Sequence, residues 1–226
     1  VTLSYDDGWR EDLRFSDIIT EKGMKCTFNL CSFKRIDRLT KEEVKEYFLD
    51  RGHEIAVHTL THPFLPDLSD DEIIRQVEKD RQNLSKLCGY EVVSMAYPCG
   101  GENNNDRVAE IIRRNTGVKL ARGLTSTYEF GPQENLLRFK PTIYYVEDCL
   151  DEVVDKFLAL DATEPALLYI WGHSYEMDAE YITWEKFEEV CKRLAFHDDI
   201  FYGTNKEVIC CDKYSMNKVK EVKEFN

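Results

Sequence analysis

The sequence predicts an α/β fold in which parallel strands close into a barrel, within a single domain. Three observations carry this. Short apolar runs alternate with helical segments along the chain. About seven or eight such β–α pairs can be counted, and that many parallel units joined by right-handed crossovers close most naturally into a ring. No proline-, glycine- or serine-rich linker divides the 226 residues, although a domain size of about 150 residues would allow two domains. One domain over residues 1–226 is therefore expected, with a loosely ordered tail from about residue 212.

The first strand covers 1–5 and stops at Asp6-Asp7-Gly8. A helix over 11–22 follows, with Gly23 as its C-terminal signal, and then a strand over 25–31. Thr40-Lys-Glu-Glu43 has the capping-box pattern and opens a helix that Gly52 ends. A buried strand at 54–57 leads to a second such pattern, Ser69-Asp-Asp-Glu72, and a helix reaching Cys88-Gly89. A strand at 92–97 is broken by Pro98-Cys99-Gly100-Gly101. A helix at 106–115, a short strand at 118–121 and an aperiodic loop at 123–139 come next. The remainder reads as strand 142–146, helix 148–160, strand 166–171, helix 183–196 and a last strand at 200–202.

Thirty basic residues against 43 acidic ones leave a net charge of −13, which repels phosphate backbones and makes nucleic acid an unfavourable partner. Anionic membrane surfaces are disfavoured on the same ground. No apolar run reaches the ~18–20 residues of a membrane helix. The start at Val1 carries no signal-peptide pattern, and the missing Met leaves room for a leader removed upstream. Eight cysteines without Cys-x-x-Cys spacing read as reduced, mostly buried thiols. The expectation is a cytoplasmic protein.

Unusual polar clusters sit just after predicted strands, on what would be one rim of a barrel, where active sites of such folds lie. His58-Thr59-Leu60-Thr61-His62 is the sharpest. In a continuing strand the two rings would be ~13 Å apart, whereas in a helical turn positions i and i+4 share one face ~6 Å apart and can reach one metal ion. Surface or capping histidines are the alternative. Asp6-Asp7 offers two carboxylates pointing in different directions, one for a metal and one for a proton, and Asp-Gly is equally a common turn. His173 follows the apolar run at 166–171 and suits a general acid, or a core histidine bonded to a carbonyl.

Together these residues resemble the polysaccharide deacetylase family, the NodB homology domain of carbohydrate esterase family 4. The family's Thr-Phe-Asp-Asp-Gly is similar to Ser4-Tyr5-Asp6-Asp7-Gly8, and its His-Ser/Thr-x-x-His matches His58 to His62. Its Arg-x-Pro-Tyr/Phe-Gly is similar to Ala96-Tyr97-Pro98-Cys99-Gly100, and its last motif, an apolar strand ending in histidine, matches Leu167 to His173. Gly23 to Leu30 looks like the family's second strand.

The resemblance implies a distorted (β/α)7-type barrel, NodB-like, with one divalent metal, zinc (Zn2+) before cobalt (Co2+) or nickel (Ni2+). By motif, Asp7, His58 and His62 would be the metal ligands, Asp6 the general base and His173 the general acid. The backbone N–H of Cys99 would serve the oxyanion, and Thr59 would steady the histidine loop. The implied activity is a metal-dependent hydrolase removing acetyl groups from N-acetylated sugars, its partner an acetylated amino-sugar glycan. O-acetyl esters, a non-sugar amide or a non-catalytic sugar-binding barrel are the rivals. This chain departs from the pattern at four places. Ala96 stands where the third-motif arginine is expected, and Arg122 is the candidate to replace it beside Asp6, or else a solvated rim charge. Cys99 and Trp9 stand where an aromatic residue and a proline are expected. The Asp-Trp motif that helps to orient the acid is not visible, and Glu176 is the candidate substitute. Trp9 and Trp171 suit stacking on a sugar or packing in the core, and Tyr97 lies beside the rim as a further candidate.

Overall fold

The computed structural model describes residues 1–33, 39–161, 163–178 and 182–210; the expected loose tail from about 212 lies outside them. Seven strands form one parallel sheet: β1 (Thr2–Asp6), β2 (Cys26–Leu30), β3 (Glu54–Val57), β4 (Ser94–Ala96), β5 (Leu120–Arg122), β6 (Ile143–Tyr144) and β7 (Tyr169–Gly172). Their order is β5-β4-β3-β2-β1-β7-β6. The remaining seam, between β5 and β6, carries one isolated parallel bridge, Arg122 with Phe139. The chain entering β6 first lies on β5 and then crosses to β7, where Thr142 N–H donates to the Tyr169 carbonyl. The barrel is curled and incompletely closed, which is the distortion expected.

Helices α1 (Glu11–Glu21), α3 (Asp70–Cys88), α4 (Asp106–Asn115), α5 (Leu150–Leu158) and α6 (Trp184–Leu194) fall where the apolar period placed them, with ends trimmed by one or two residues. The helix α2 (Lys41–Val44) opens with a complete capping box at Thr40 and widens into a π-helical turn over Lys45–Leu49. The second expected box is only half made. Ser69 accepts from Glu72 N–H, but the Glu72 carboxylate is taken by Arg75 and Gln76, so no return bond forms.

The last expected strand, 200–202, is not a strand. β1, beneath which it passes, already has β2 and β7 on its two edges, so no ladder is available. The segment meets the chain start at Val1, whose N-terminus donates to the Phe201 carbonyl and whose carbonyl accepts from Gly203 N–H, and turns into a short helix, α7 (Asn205–Ile209), capped by Thr204.

Period-2 alternation divides the side chains between two faces. Leu3, Tyr5, Phe28 and Ile55 face outward into the main core with Phe15, Phe48 and Phe187 from the helices. Leu120, Phe139, Tyr169 and Trp171 form a second cluster with Val208 and Ile209 of α7. Alongside it runs a buried polar network: Asn29 donates to Ser4 Oγ, and Asn205 bonds Thr2, Ser4 and Tyr169. Cys26 and Cys191 are buried thiols, and burial pushes Cys191 up to about 12. Among the described residues no helix is long and apolar enough to cross a membrane.

Candidate active site

The C-terminal ends of β1, β3, β5 and β7 bring Asp6, Asp7, His58, Arg122 and His173 to one rim. The backbone there is unusual. Asp7, Thr59, His62 and Cys99 have φ of 85°, 68°, 60° and 67°, four of the six non-glycine residues with left-handed φ among the described residues. Such conformations cost of order 1–3 kcal/mol each and persist where the surroundings enforce them. At Gly8 (φ 67°) a side chain would be strained, and its Cβ, 2.9 Å from Leu30 Cδ2, would force that leucine to move.

His58 and His62 do not share a helical turn, which corrects the expectation from their spacing. Thr59 and His62 both adopt left-handed φ, and this irregular loop sets the ring centroids 4.9 Å apart. Hydrogen bonds hold it. Thr59 Oγ1 accepts from His62 N–H at 3.2 Å, and Gln76 of α3 bonds Thr61 through both ends of its amide. Asp80, one turn further along α3, accepts from Ser32 N–H at 2.7 Å and His58 N–H at 3.2 Å. Burial pushes its carboxyl up to about 7 against those donors. Asp80→Ala leaves Ser32 N–H without its acceptor and should lower stability by about 1–3 kcal/mol. Because this loop carries two candidate ligands, zinc affinity should also fall, by roughly 10–100-fold. Thermal unfolding and a zinc titration check both.

Asp7 Oδ1 lies 3.5 Å from Nε2 of His58 and 3.5 Å from Nε2 of His62. The three donor atoms all lie within 4.8 Å of one another. Ligands at ~2.1 Å around a tetrahedral ion stand roughly 3.4 Å apart, so the donor set fits a divalent metal such as zinc. The tautomer agrees. His58 Nδ1 lies 2.9 Å from the Ala96 carbonyl, which can only accept, so Nδ1 carries a proton and Nε2 is the nitrogen that faces Asp7. Trp9 is half-buried, with Nε1–H 3.5 Å from Asp7 Oδ2 and its ring 4.7 Å from that of Tyr175. The Cys99 N–H points at His62 Nε2 at 3.4 Å, and is thus aimed at the donor set.

Arg122 lies beside Asp6. Its Nη2 is 2.6 Å and 2.5 Å from the two carboxylate oxygens, and its side chain is fully buried. Asn29 adds a third hydrogen bond, from Nδ2 to Asp6 Oδ1 at 2.8 Å. Burial alone would raise the Asp6 carboxyl; the Arg122 guanidinium, with His58 and His173, brings it below its ordinary value. Arg122 and Ala96 pair across β4 and β5, so the cation enters from the strand next to the one expected to carry it.

Glu176 holds His173. Its Oε1 lies 3.1 Å from His173 Nδ1, and its Oε2 accepts from His173 N–H at 3.1 Å. Burial opposes a charge on the ring, but Glu176 with Asp6 and Asp7 raises His173 above its ordinary pKa. Ser174 Oγ donates to Asp12 at 2.6 Å, tying this loop to α1.

Two expected residues offer no face to a substrate. Tyr97 is fully buried and its hydroxyl donates to the Leu137 carbonyl at 2.7 Å, so it packs in the core and offers no wall to a substrate. Trp171 is 5% exposed, with Tyr144 stacked on it at 4.2 Å, so its role is to brace neighbours and not to stack on a sugar. Sequence reasoning missed Asn29, Gln76, Asp80 and Tyr144. A signal existed for three: a polar residue in the apolar strand 26–30, and two on the stripe of α3 shared with Ile73, Val77 and Leu84.

The family model described as polysaccharide deacetylase matches residues 1–120. A peptidoglycan-N-acetylglucosamine deacetylase of Bacillus cereus is 32% identical over 106 residues, covering 44% of this chain and 36% of that protein's length. The chain thus spans little more than a third of that relative. The structure of the peptidoglycan deacetylase PdaC of Bacillus subtilis superposes with a TM-score of 0.59 at 20% identity, over 98% of this chain and 95% of that one. A family 4 pseudoenzyme of Bacillus anthracis, BA3943, superposes with a TM-score of 0.56 at 16% identity, over 92% of this chain and 64% of that one. The matched residues make up more than half of the chain, and the chain belongs to the polysaccharide deacetylase family.

Proposed function

We propose that this chain hydrolyses the N-acetyl group of an acetylated amino-sugar glycan, with zinc as the metal. The observation that carries the reading is the placement on one rim of a carboxylate gripped by Arg122, Asp6, and a histidine held by Glu176, His173, beside a metal-fitting donor set. Binding alone needs no acid and base of this kind, which speaks against a non-catalytic barrel. The names of the relatives point to peptidoglycan or chitin as substrate.

Asp7, His58 and His62 would hold the metal, which when bound supplies Lewis-acid activation of water and of the acetyl carbonyl. Asp6, kept ionised by Arg122 and fixed by Asn29, takes a proton from the attacking water. The Cys99 N–H donates to the oxyanion that develops on the carbonyl oxygen. His173, its pKa raised by Glu176, donates to the departing nitrogen, leaving acetate and a free amine. Trp9, beside Asp7 and half-exposed with Tyr175, would meet the sugar ring.

Glu176→Gln removes the largest influence raising His173. The imidazolium then loses its proton at lower pH, so the alkaline limb of the kcat/KM profile should move toward acid; an unmoved limb would remove Glu176 from this role. The substrate class is tested by comparing acetate release from chito-oligosaccharides, peptidoglycan fragments and O-acetylated xylan by the zinc-loaded protein. Release from the first two supports the amide reading, whereas release from xylan alone makes the protein an esterase.

A further inference from the structure

Glu176 has a second partner, on a different strand. Tyr144, at the end of β6, donates its hydroxyl to Glu176 Oε1, the oxygen that also meets His173 Nδ1. The Glu176 side chain is 7% exposed, so these bonds make up much of what replaces its water. The ring of Tyr144 lies nearly flat on Trp171, 4.2 Å between centroids at 17°. The Arg122 guanidinium carbon sits 4.6 Å from the centroid of that same Trp171 ring. Arg122 in turn grips both oxygens of Asp6.

Tyr144 is fixed at its backbone as well. Its N–H lies 3.1 Å from both Ser126 Oγ and Glu147 Oε1. Glu147 also takes the hydroxyls of Ser126 and Tyr128, so the same anchor ties down the loop that leaves β5.

We propose that Tyr144 is a positioning residue that braces both halves of the acid–base pair: His173 through Glu176, and Asp6 through Trp171 and Arg122. The proposal rests on the reading of Asp6 as base and His173 as acid. The phenol and the ring have separable tasks. The hydroxyl completes the shell of Glu176 and so holds the imidazole toward the substrate side. The ring props Trp171 under the guanidinium. Contiguity of side chains is not itself coupling, and a double-mutant cycle is the measurement that apportions it.

Tyr144→Phe keeps the ring and removes the hydroxyl. It should lower kcat by roughly 10-fold with KM nearly unchanged, the effect of one lost hydrogen bond to a charged group. In a Glu176→Gln background the same change should cost less than about 3-fold, because its partner is already altered. Tyr144→Leu removes the ring as well and should cost more than Tyr144→Phe in both backgrounds. Equal losses for Tyr144→Phe with and without Glu176 would overturn the proposal, as would an effect on KM alone, which would make Tyr144 a substrate contact.

A readout independent of turnover separates this proposal from the reading beneath it. In proton NMR the His173 Nδ1–H signal should exchange with water faster in Tyr144→Phe than in wild type. An unchanged rate sinks the role of Tyr144 even if the enzyme is active. A faster rate in a protein that releases no acetate upholds the brace and sinks the catalytic reading instead.

Discussion

Asp6→Asn should lower kcat by about 10²–10⁴-fold while the protein still takes up one metal ion. The two halves of that result come from different residues. The candidate ligands are Asp7, His58 and His62, and none of them is altered. Asparagine keeps the size of Asp6 and can still accept a hydrogen bond from Arg122, but it cannot take a proton from water. Metal content by atomic absorption and turnover on the same sample check the prediction. Undiminished turnover would show that another group is the base, and loss of metal would show that Asp6 belongs to the donor set.

Arg122→Ala should be damaging in a second way. Arg122 and Asp6 are fully or almost fully buried, at 0% and 3% side-chain exposure, and bonded at 2.5 and 2.6 Å. Removing one partner of such a pair strands the other charge, at a cost of about 3–5 kcal/mol. In a chain of this length that should lower Tm by roughly 10 °C. The sign of the pH dependence should also invert. In the wild type the lowered Asp6 pKa contributes stability that is present above the unfolded carboxylate range and lost as pH falls through the folded value. Without Arg122, burial weighs more heavily and raises the carboxyl, so this contribution should favour the folded variant as pH falls. Adding Asp6→Asn to Arg122→Ala should restore part of the lost stability, since no stranded charge then remains. A melting temperature within about 2 °C of wild type would place Arg122 outside this role.

The barrel was legible because strand and helix periods differ and alternate without interruption from β1 to α6. What the period could not give is where a ladder stops. β4, expected at six residues, is three, because its bonds depend on how far β3 and β5 run beside it. The run at 200–202 has strand-forming residues but no open edge to join. The same division holds in the site. Asp6, Asp7, His58, His62 and His173 could be picked out because they follow strands at telling spacings. The backbone that joins the histidines could not, since left-handed φ at threonine and histidine is imposed from outside, here by Gln76 and Asp80 of α3. Arg122 was a candidate only because Ala96 left a cation missing; its bond to Asp6 spans 116 residues of sequence. Tyr144 gave no warning at all. A tyrosine in a β-rich run is ordinary, and only the fold places its hydroxyl on Glu176. Tyr97 shows the converse, since a place after a strand does not decide which way a ring turns.

The most direct test of the central claim is acetate release by the metal-free and the zinc-loaded protein from one N-acetylated chito-oligosaccharide, with free amine measured alongside. The account predicts no release without metal, and, with one zinc per chain, acetate and free amine appearing in equal amounts. A protein fully loaded with zinc that releases no acetate from this or any other N-acetylated glycan would contradict it.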